Sequence, residues 1–347
     1  MARIKNVTLG KTGITVPQNG FGALPIQRDS TEDAVKLLRR AYEGGMRFFD
    51  TARSYTDSEE KLGLAFGDNG IRNDIIIATK TGAKDPDTFW EHLHTSLRTL
   101  KTDHVDIYQL HMAPKCYRPG DGSGLYECLL KAKEQGKICH IGITAHLLSV
   151  ADEAVESGLY ETLQFPFSYL SSDKDLEIVK KCAEKGVGFI AMKSLAGGLI
   201  TDSKAAMAYC LGFDNVVPIW GIQRENELTE WLSFMDNPPE MTDELRAVIA
   251  HDREELSGSF CRGCGYCLSA CPMGIKINNC ARMSLMIRRA PTGPWLAPAM
   301  QEQMKEIENC IQCRACEARC PYSLPIPELL QKNYDDYQNV LSGKTVV

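Results

Sequence analysis

The sequence has no apolar run approaching the roughly 18 residues that a bilayer-crossing helix needs. Its opening, Met1-Ala2-Arg3-Ile4-Lys5-Asn6, lacks the apolar core of a secretory leader. A cytoplasmic location is the resulting expectation. Basic charge is not in excess either: 39 Lys and Arg stand against 45 Asp and Glu, a formal net charge of -6. Neither nucleic acid nor a membrane surface is expected as a partner. Low-complexity tracts are missing, and 44% hydrophobic with 24% charged residues is the composition of a folded globular chain. At 347 residues it is long enough for two domains and a large core. No Gly-x-Gly-x-x-Gly follows the first candidate strand, which counts against an open doubly wound sheet. Nothing reads as a flavin site.

Cysteine is not scarce. There are 14, of which nine follow residue 250. A reducing compartment disfavours disulfides, and clustered cysteines there point to metal. The first run is Cys261-x-x-Cys264-x-x-Cys267-x-x-x-Cys271-Pro272, and the second is Cys310-x-x-Cys313-x-x-Cys316-x-x-x-Cys320-Pro321. Both have the spacing of bacterial ferredoxins. Three thiolates two residues apart on a turning backbone reach three corners of one cubane, and the fourth ligand comes from elsewhere. Structural zinc prefers paired Cys-x-x-Cys and does not match this repeat. In two-cluster ferredoxins the fourth cysteine crosses over. By that rule Cys261, Cys264, Cys267 and Cys320 hold one 4Fe–4S cluster, and Cys310, Cys313, Cys316 and Cys271 hold the other. Cys280, between the runs, reads as a buried thiol. The segment 290–295 reads as a loop.

The first ~240 residues alternate short β-branched runs with amphipathic stretches. Strands are expected at 47–50, 75–79, 105–109, 140–144, 162–165, 188–192 and 216–220, with a weaker one at 19–22. Helices are expected at 31–44, 58–67, 87–100, 124–135, 147–156, 173–185, 203–211 and 225–235. Eight such βα units imply a parallel sheet closed into a TIM (β/α)8 barrel. Residues 4–16, turning at Gly10-Lys11-Thr12-Gly13, read as a hairpin closing the barrel bottom. Cys116, Cys128, Cys139, Cys182 and Cys210 read as barrel core. Asn237-Pro238-Pro239 breaks the pattern, and a charged helix over 240–257 leads to the cysteine region. The expected domains are a barrel at 1–245 and a small ferredoxin-like iron–sulfur domain at 246–347.

Phe48-Phe49-Asp50-Thr51-Ala52-Arg53-Ser54-Tyr55-Thr56-Asp57-Ser58-Glu59 resembles the signature of the aldo-keto reductases, themselves TIM barrels. The resemblance spans roughly residues 1–240. It implies a tetrad of Asp50, Tyr55, Lys80 and His111, all at or beyond strand C-termini, where such barrels build active sites. A carbonyl accepting hydride develops alkoxide charge and needs a proton. Tyr is a poor acid at pH 7, so Lys80 is expected to lower the Tyr55 pKa while Asp50 holds Lys80 in place. His111 would orient the carbonyl oxygen.

The same resemblance implies a nicotinamide cofactor, NADP or NAD, near Thr144, Gln164, Met192, Lys193 and Ser194. Its phosphates and adenosine would lie near Gly221, Gln223, Arg224 and Glu227, where a helix N-terminus follows the last strand. The chain departs from the family at Ala145, where an Asn holds the carboxamide, at Met192, where an aromatic ring stacks, and at Trp231, where an Asn is usual.

The expected activity is NAD(P)H-dependent reduction of a small aldehyde or ketone, with Tyr55 as general acid. Nicotinamides move electron pairs and 4Fe–4S clusters move single electrons, and flavins usually bridge them. One alternative is therefore a reductase fed by a ferredoxin or another one-electron donor through the clusters. Another is an electron-transfer module on a barrel scaffold. The loops around 24–30, 81–87, 112–123 and 290–298, which would choose the substrate, carry no transferable code.

Overall fold

A computed structural model describes residues 3–67, 70–256, 261–289 and 291–347. Met1 and Ala2 of the N-terminus, Ser257 at the end of the expected charged helix and Ala290 at the start of the expected loop lie outside the described residues. The chain divides into two compact units, Met1–Leu195 with Asp202–Leu245, and Ala196–Thr201 with Arg246–Val347. Among the described residues no helix is long and apolar enough to cross a membrane.

The first unit opens with an antiparallel hairpin of β1 (Asn6–Thr8) and β2 (Thr15–Pro17). Eight parallel strands follow: β3 (Gly20–Gly22), β4 (Phe48–Asp50), β5 (Ile76–Thr81), β6 (Val105–Leu110), β7 (Ile138–Thr144), β8 (Thr162–Pro166), β9 (Gly188–Met192) and β10 (Val216–Gly221). They close into a barrel in chain order, β10 pairing back onto β3. The helices between them are α1 (Thr31–Glu43), α2 (Ser58–Phe66), α3 (Pro86–Thr99), α4 (Leu125–Glu134), α5 (Leu148–Ser157), α6 (Asp173–Lys185), α7 (Ser203–Leu211) and α8 (Glu225–Asp236).

Local chemistry sets the helix ends. Ser30 accepts the Asp33 N–H to start α1, and Asp85 accepts the Thr88 N–H to start α3, with Pro86 in its first turn. Along α1 the residues Ala34, Leu37, Leu38 and Ala41 are buried on one face. Gly44 and Gly45 stop it, Gly45 at φ +100°.

Strand periodicity sorts the barrel interior into layers. Inward residues near the strand starts are apolar: Phe48, Ala78, Ile107, Ile190, Val217 and Ile219. The hairpin residues Val7, Leu9, Ile14 and Val16 pack on this layer and close the bottom, as its sequence pattern suggests. Two residues further along, the same inward register carries Asp50, Lys80, Gln109 and Gln164. The interior is tight at this level. A Cβ on Gly142 would sit 2.4 Å from Thr162 Oγ1 and 2.8 Å from Gln109 Cγ.

Cys116, Cys128, Cys182 and Cys210 are buried, but Cys139 is exposed, contrary to its reading as core. It is the second residue of β7, at the strand's N-terminal end. There it stands within ligand-atom distance of half-buried His104 and Asp106 rather than under a covering helix.

The boundary at Leu245 falls within α9 (Asp243–Leu256), which starts at Asp243 rather than 240, four residues after Pro239, where Thr242 Oγ1 accepts the Leu245 N–H. The rest is helical: α10 (Ile277–Cys280), α11 (Met283–Arg289), α12 (Thr292–Trp295), α13 (Pro298–Lys305), α14 (Ala315–Ala318) and α15 (Ile326–Leu341). Residues 292–295 form one helical turn instead of the expected loop, because the Leu296 N–H closes back onto the Thr292 and Gly293 carbonyls. The core gathers Cys280, Met283, Ile287, Met304, Ile307, Leu330 and Tyr337. Cys280 is a buried thiol, its Sγ 3.6 Å from the Gln303 carbonyl.

Gly142→Ala should destabilise the barrel by about 1–3 kcal/mol, the usual cost of overpacking. Urea unfolding followed by tryptophan fluorescence would read this as a lower midpoint for the barrel transition. An unchanged midpoint would mean that Thr162 and Gln109 have room to yield.

Candidate functional site

The C-terminal rim of the barrel gathers the four tetrad positions. Lys80, the fifth residue of β5, points inward and is buried. Its Nζ lies 2.7 Å from Asp50 Oδ1 and donates to the Thr51 carbonyl at 2.6 Å. Burial pushes the Asp50 carboxyl up and the Lys80 ammonium down, each toward neutrality, while their contact opposes both shifts. Gln164 Nε2 lies 3.4 Å from Asp50 Oδ1, and Gln164 Oε1 accepts from Gln109 Nε2 at 2.9 Å.

The chain beyond β4 is folded to bring Tyr55 over this pair. The Thr51 and Arg53 N–H groups continue the pairing onto Ala78 and Lys80 of β5. Ser58 Oγ donates to the Ala23 carbonyl and meets Thr51 Oγ1. Glu59, buried, receives Arg53, Thr79 Oγ1 at 2.6 Å and Ser96 Oγ at 2.7 Å. Lys80 Nζ thereby comes 5.1 Å from the Tyr55 ring centroid. The His111 ring stands edge-on to Tyr55, centroids 5.8 Å apart at 79°.

The sequence argument that Lys80 lowers the Tyr55 pKa does not hold in this structure. Burial raises the Tyr55 hydroxyl well above its ordinary value, and the Asp50 carboxylate adds to the rise. The Lys80 charge is spent on Asp50, so Tyr55 keeps its proton. His111 is shifted from 6.5 to about 3, first by burial and then by the charges of Lys80 and Lys193. The ring is therefore neutral at pH 7. Ser54 Oγ lies 3.3 Å from its Nδ1, where an O–H can hold that nitrogen as acceptor and leave the proton on Nε2.

The positions expected near a nicotinamide are spread along the following strand ends. The Thr144 hydroxyl accepts the Met112 N–H at 2.6 Å, which leaves it an O–H to donate. Met192 is partly buried at the end of β9. Lys193 follows at φ +59°, its Nζ 3.0 Å from His146 Nε2. Ser194 is buried, its Oγ 3.4 Å from the Ala191 carbonyl. At the start of α8 one Glu227 oxygen accepts both the Gln223 and Arg224 N–H groups, at 2.8 and 3.0 Å. Gln223 also hydrogen-bonds Asp29, whose carboxyl burial pushes up. Gly221 is exposed at the end of β10. Trp231 is in the core, stacked on Trp220 with centroids 3.9 Å apart.

The eight repeat cysteines of the second unit line two cavities. Cys261, Cys264, Cys267 and Cys320 line one, with Arg262, Tyr322 and Leu329. Cys271, Cys310, Cys313 and Cys316 line the other, with Met273 and Ile311. Each cavity takes three thiols from one run and the fourth from the other. Burial and neighbouring thiols push Cys267 up to about 12, a shift that a cationic centre taking it as thiolate would offset.

Gln109, Glu59, Ser54 and His146 carry contacts that sequence reading did not assign. Gln109 could have been found, since it stands opposite Lys80 in the β5–β6 register and shares its inward face. The His146–Lys193 contact joins residues 47 apart in sequence and leaves no local pattern.

A parallel barrel with this rim, followed by paired cysteine cavities, matches two known families. The aldo/keto reductase family model matches residues 18–244, and a 4Fe-4S dicluster domain model matches residues 260–325. The chain belongs to the aldo/keto reductase family and carries a 4Fe–4S dicluster domain at its C-terminal end. It is 28% identical over 298 residues to L-galactose dehydrogenase of Arabidopsis thaliana, covering 74% of this chain and 93% of that one. It is 33% identical over 195 residues to methylglyoxal reductase DkgB of Salmonella typhi, covering 53% and 69%. Like these relatives it is an oxidoreductase. Its fold is shared with an aldo-keto reductase of Bacillus halodurans in its holo form, at TM-score 0.63 and 24% identity over 72% of this chain and 96% of that one. It is also shared with one from Klebsiella pneumoniae in complex with NADPH, at TM-score 0.62 and 20% identity over 73% and 95%.

Because His111 is held neutral, the folded chain binds fewer protons at this ring than the unfolded chain between pH 6.5 and about 3, and barrel stability falls as pH drops through that window. In 15N-histidine-labelled protein, the resonance lost on His111→Gln should stay flat from about pH 8 to 5.5. A midpoint near the ordinary histidine value would contradict the assignment.

Proposed function

We propose that the barrel reduces a small aldehyde or ketone with NADPH or NADH, Tyr55 giving the proton, and that the eight repeat cysteines hold two 4Fe–4S clusters. The observation that carries the first part is Lys80 Nζ, 2.7 Å from Asp50 Oδ1 and 5.1 Å from the Tyr55 ring. Tyr55 is protonated at neutral pH, as an acid must be before it acts. Its O–H is given up only as alkoxide charge builds on the substrate oxygen, and Lys80 lies close enough to stabilise the tyrosinate left behind. His111, neutral with its proton on Nε2, would donate to the same oxygen and fix its position.

The residues present fit a nicotinamide dinucleotide at its reactive end. Gln164, Met192, Lys193 and Ser194 would hold that end, and Arg224 the phosphates. When bound, the cofactor supplies the hydride. The chain's part is to orient the carbonyl, hold the proton and exclude water. The paired cavities likewise fit cubanes, each with four thiols converging from two loops. When bound, the clusters store and pass single electrons.

A second reading, in which the clusters feed single electrons to a barrel-bound substrate, is favoured by α8. There Glu227 already occupies the N–H groups of Gln223 and Arg224, and Trp231 is committed to the core.

Tyr55→Phe should cost about 10²- to 10⁴-fold in kcat for a carbonyl substrate with NADPH, the usual worth of a general acid, with nicotinamide affinity nearly unchanged. Steady-state kinetics beside fluorescence titration of NADPH would check this. Full activity in the variant would remove Tyr55 from the chemistry.

A further inference from the structure

The two cysteine cavities differ in their charge environment, and the difference centres on Arg282. This residue stands between α10 and α11, and its Nε is buried with no hydrogen-bond partner. Its Nη2 lies 3.7 Å from the Met286 sulfur, a weak acceptor. The backbone is shaped to admit it. Gly263, inside the Cys261–Cys264 loop, is at φ +75°, and a Cβ there would fall 2.2 Å from Arg282 Nη1. The guanidinium therefore lies against the loop that carries two of the four thiols. Arg262, a buried residue, lines the cavity of Cys261, Cys264, Cys267 and Cys320, with its guanidinium carbon 4.0 Å from the Tyr322 ring centroid.

The other cavity has no such arrangement among its described lining residues. Its cation, Arg314, is half-exposed and paired with Glu317 and Glu328. Cys313 is exposed, as are Met273 and Ile311. Water and paired carboxylates screen charge on this side.

A cubane held by four thiolates is an anion, and reduction adds one more negative charge. A buried cation beside it stabilises the reduced form more than the oxidised form and so raises its potential. A buried cation also needs an anion to justify its desolvation, and the cluster supplies one. We propose that Arg282 raises the reduction potential of the cluster held by Cys261, Cys264, Cys267 and Cys320 above that of the cluster held by Cys271, Cys310, Cys313 and Cys316. An electron given to the domain by a one-electron carrier then settles in the first cluster, taking it from the 2+ to the 1+ core state. The exposed second cluster exchanges electrons with the outside. This inference rests on the two-cluster reading above.

The test is an anaerobic, EPR-monitored redox titration of the full-length holoprotein, with iron and sulfide counted in every sample. Two one-electron transitions are expected. Arg282→Gln should move the upper one to more negative potential and leave the lower one in place, while Arg282→Lys moves it much less. Met286→Glu keeps the arginine but sets a carboxylate beside it, and should move the upper transition in the same direction. If Arg282→Gln fails to assemble both clusters, Arg282→Lys and Met286→Glu decide. Transitions that stay put, or that shift together, in protein of full iron content would overturn the proposal. So would a lysine variant displaced as far as the glutamine one. A wild-type protein holding fewer than two clusters refutes the two-cluster reading instead, before any variant is made.

Discussion

Lysine and aspartate buried together in the mouth of a barrel are costly unless every remaining donor and acceptor is answered. Lys80 and Asp50 meet that condition only in part, by drawing in their neighbours, and Asp50 Oδ2 stays buried without a hydrogen-bond partner. The Thr51 carbonyl takes a second Lys80 proton, and Gln164, itself held by Gln109, turns its amide to Asp50. These contacts tie β4, β5, β6 and β8 together at one level, just above the apolar layer that the N-terminal hairpin seals. Tyr55 and His111 are placed relative to this knot. Removing either charge would leave the other stranded in low dielectric, at about 3–5 kcal/mol. The groups proposed for chemistry and those holding the rim in shape are therefore largely the same.

Much of this was legible in the sequence because it follows from short-range periodicity. Alternation in strands such as Val105–Leu110 and helical spacing in Thr31–Glu43 reveal eight βα units, and the hairpin is marked by its glycines. The cysteine runs were legible from their repeated spacing, their grouping came from the crossover rule of two-cluster ferredoxins, and the two cavities are lined by those same sets. What stayed hidden depends on contacts between distant segments. The rise in the Tyr55 pKa follows from burial and from the Asp50 charge, neither visible in a motif. Glu227 aligns with a cofactor-binding position yet caps its own helix. Arg282 looks like any loop arginine until Gly263 is found beneath it.

Electron counting bears on how the two units divide their work. A nicotinamide delivers a pair and a cubane takes one, and no flavin site is evident in the sequence to divide the pair. In the proposed reduction of a carbonyl, the rim of the barrel would supply a protonated acid in Tyr55, a cation near its conjugate base in Lys80, and a neutral donor for the substrate oxygen in His111. The cysteine unit would carry one-electron traffic, with Arg262 lining one cavity and Arg282 against its cysteine loop, and with the exposed Cys313 in the other. On this account the clusters accompany the barrel chemistry and are not reduced by the nicotinamide.

That account is tested most directly by anaerobic titration of the as-purified protein with NADPH, then NADH, before and after adding a small aldehyde. Nicotinamide and visible cluster absorbance are followed together. The prediction is nicotinamide binding without bleaching of the clusters, then oxidation in step with the aldehyde consumed while the cluster absorbance holds. Failure to bind or oxidise either nicotinamide, or bleaching of the clusters by nicotinamide alone, would contradict it.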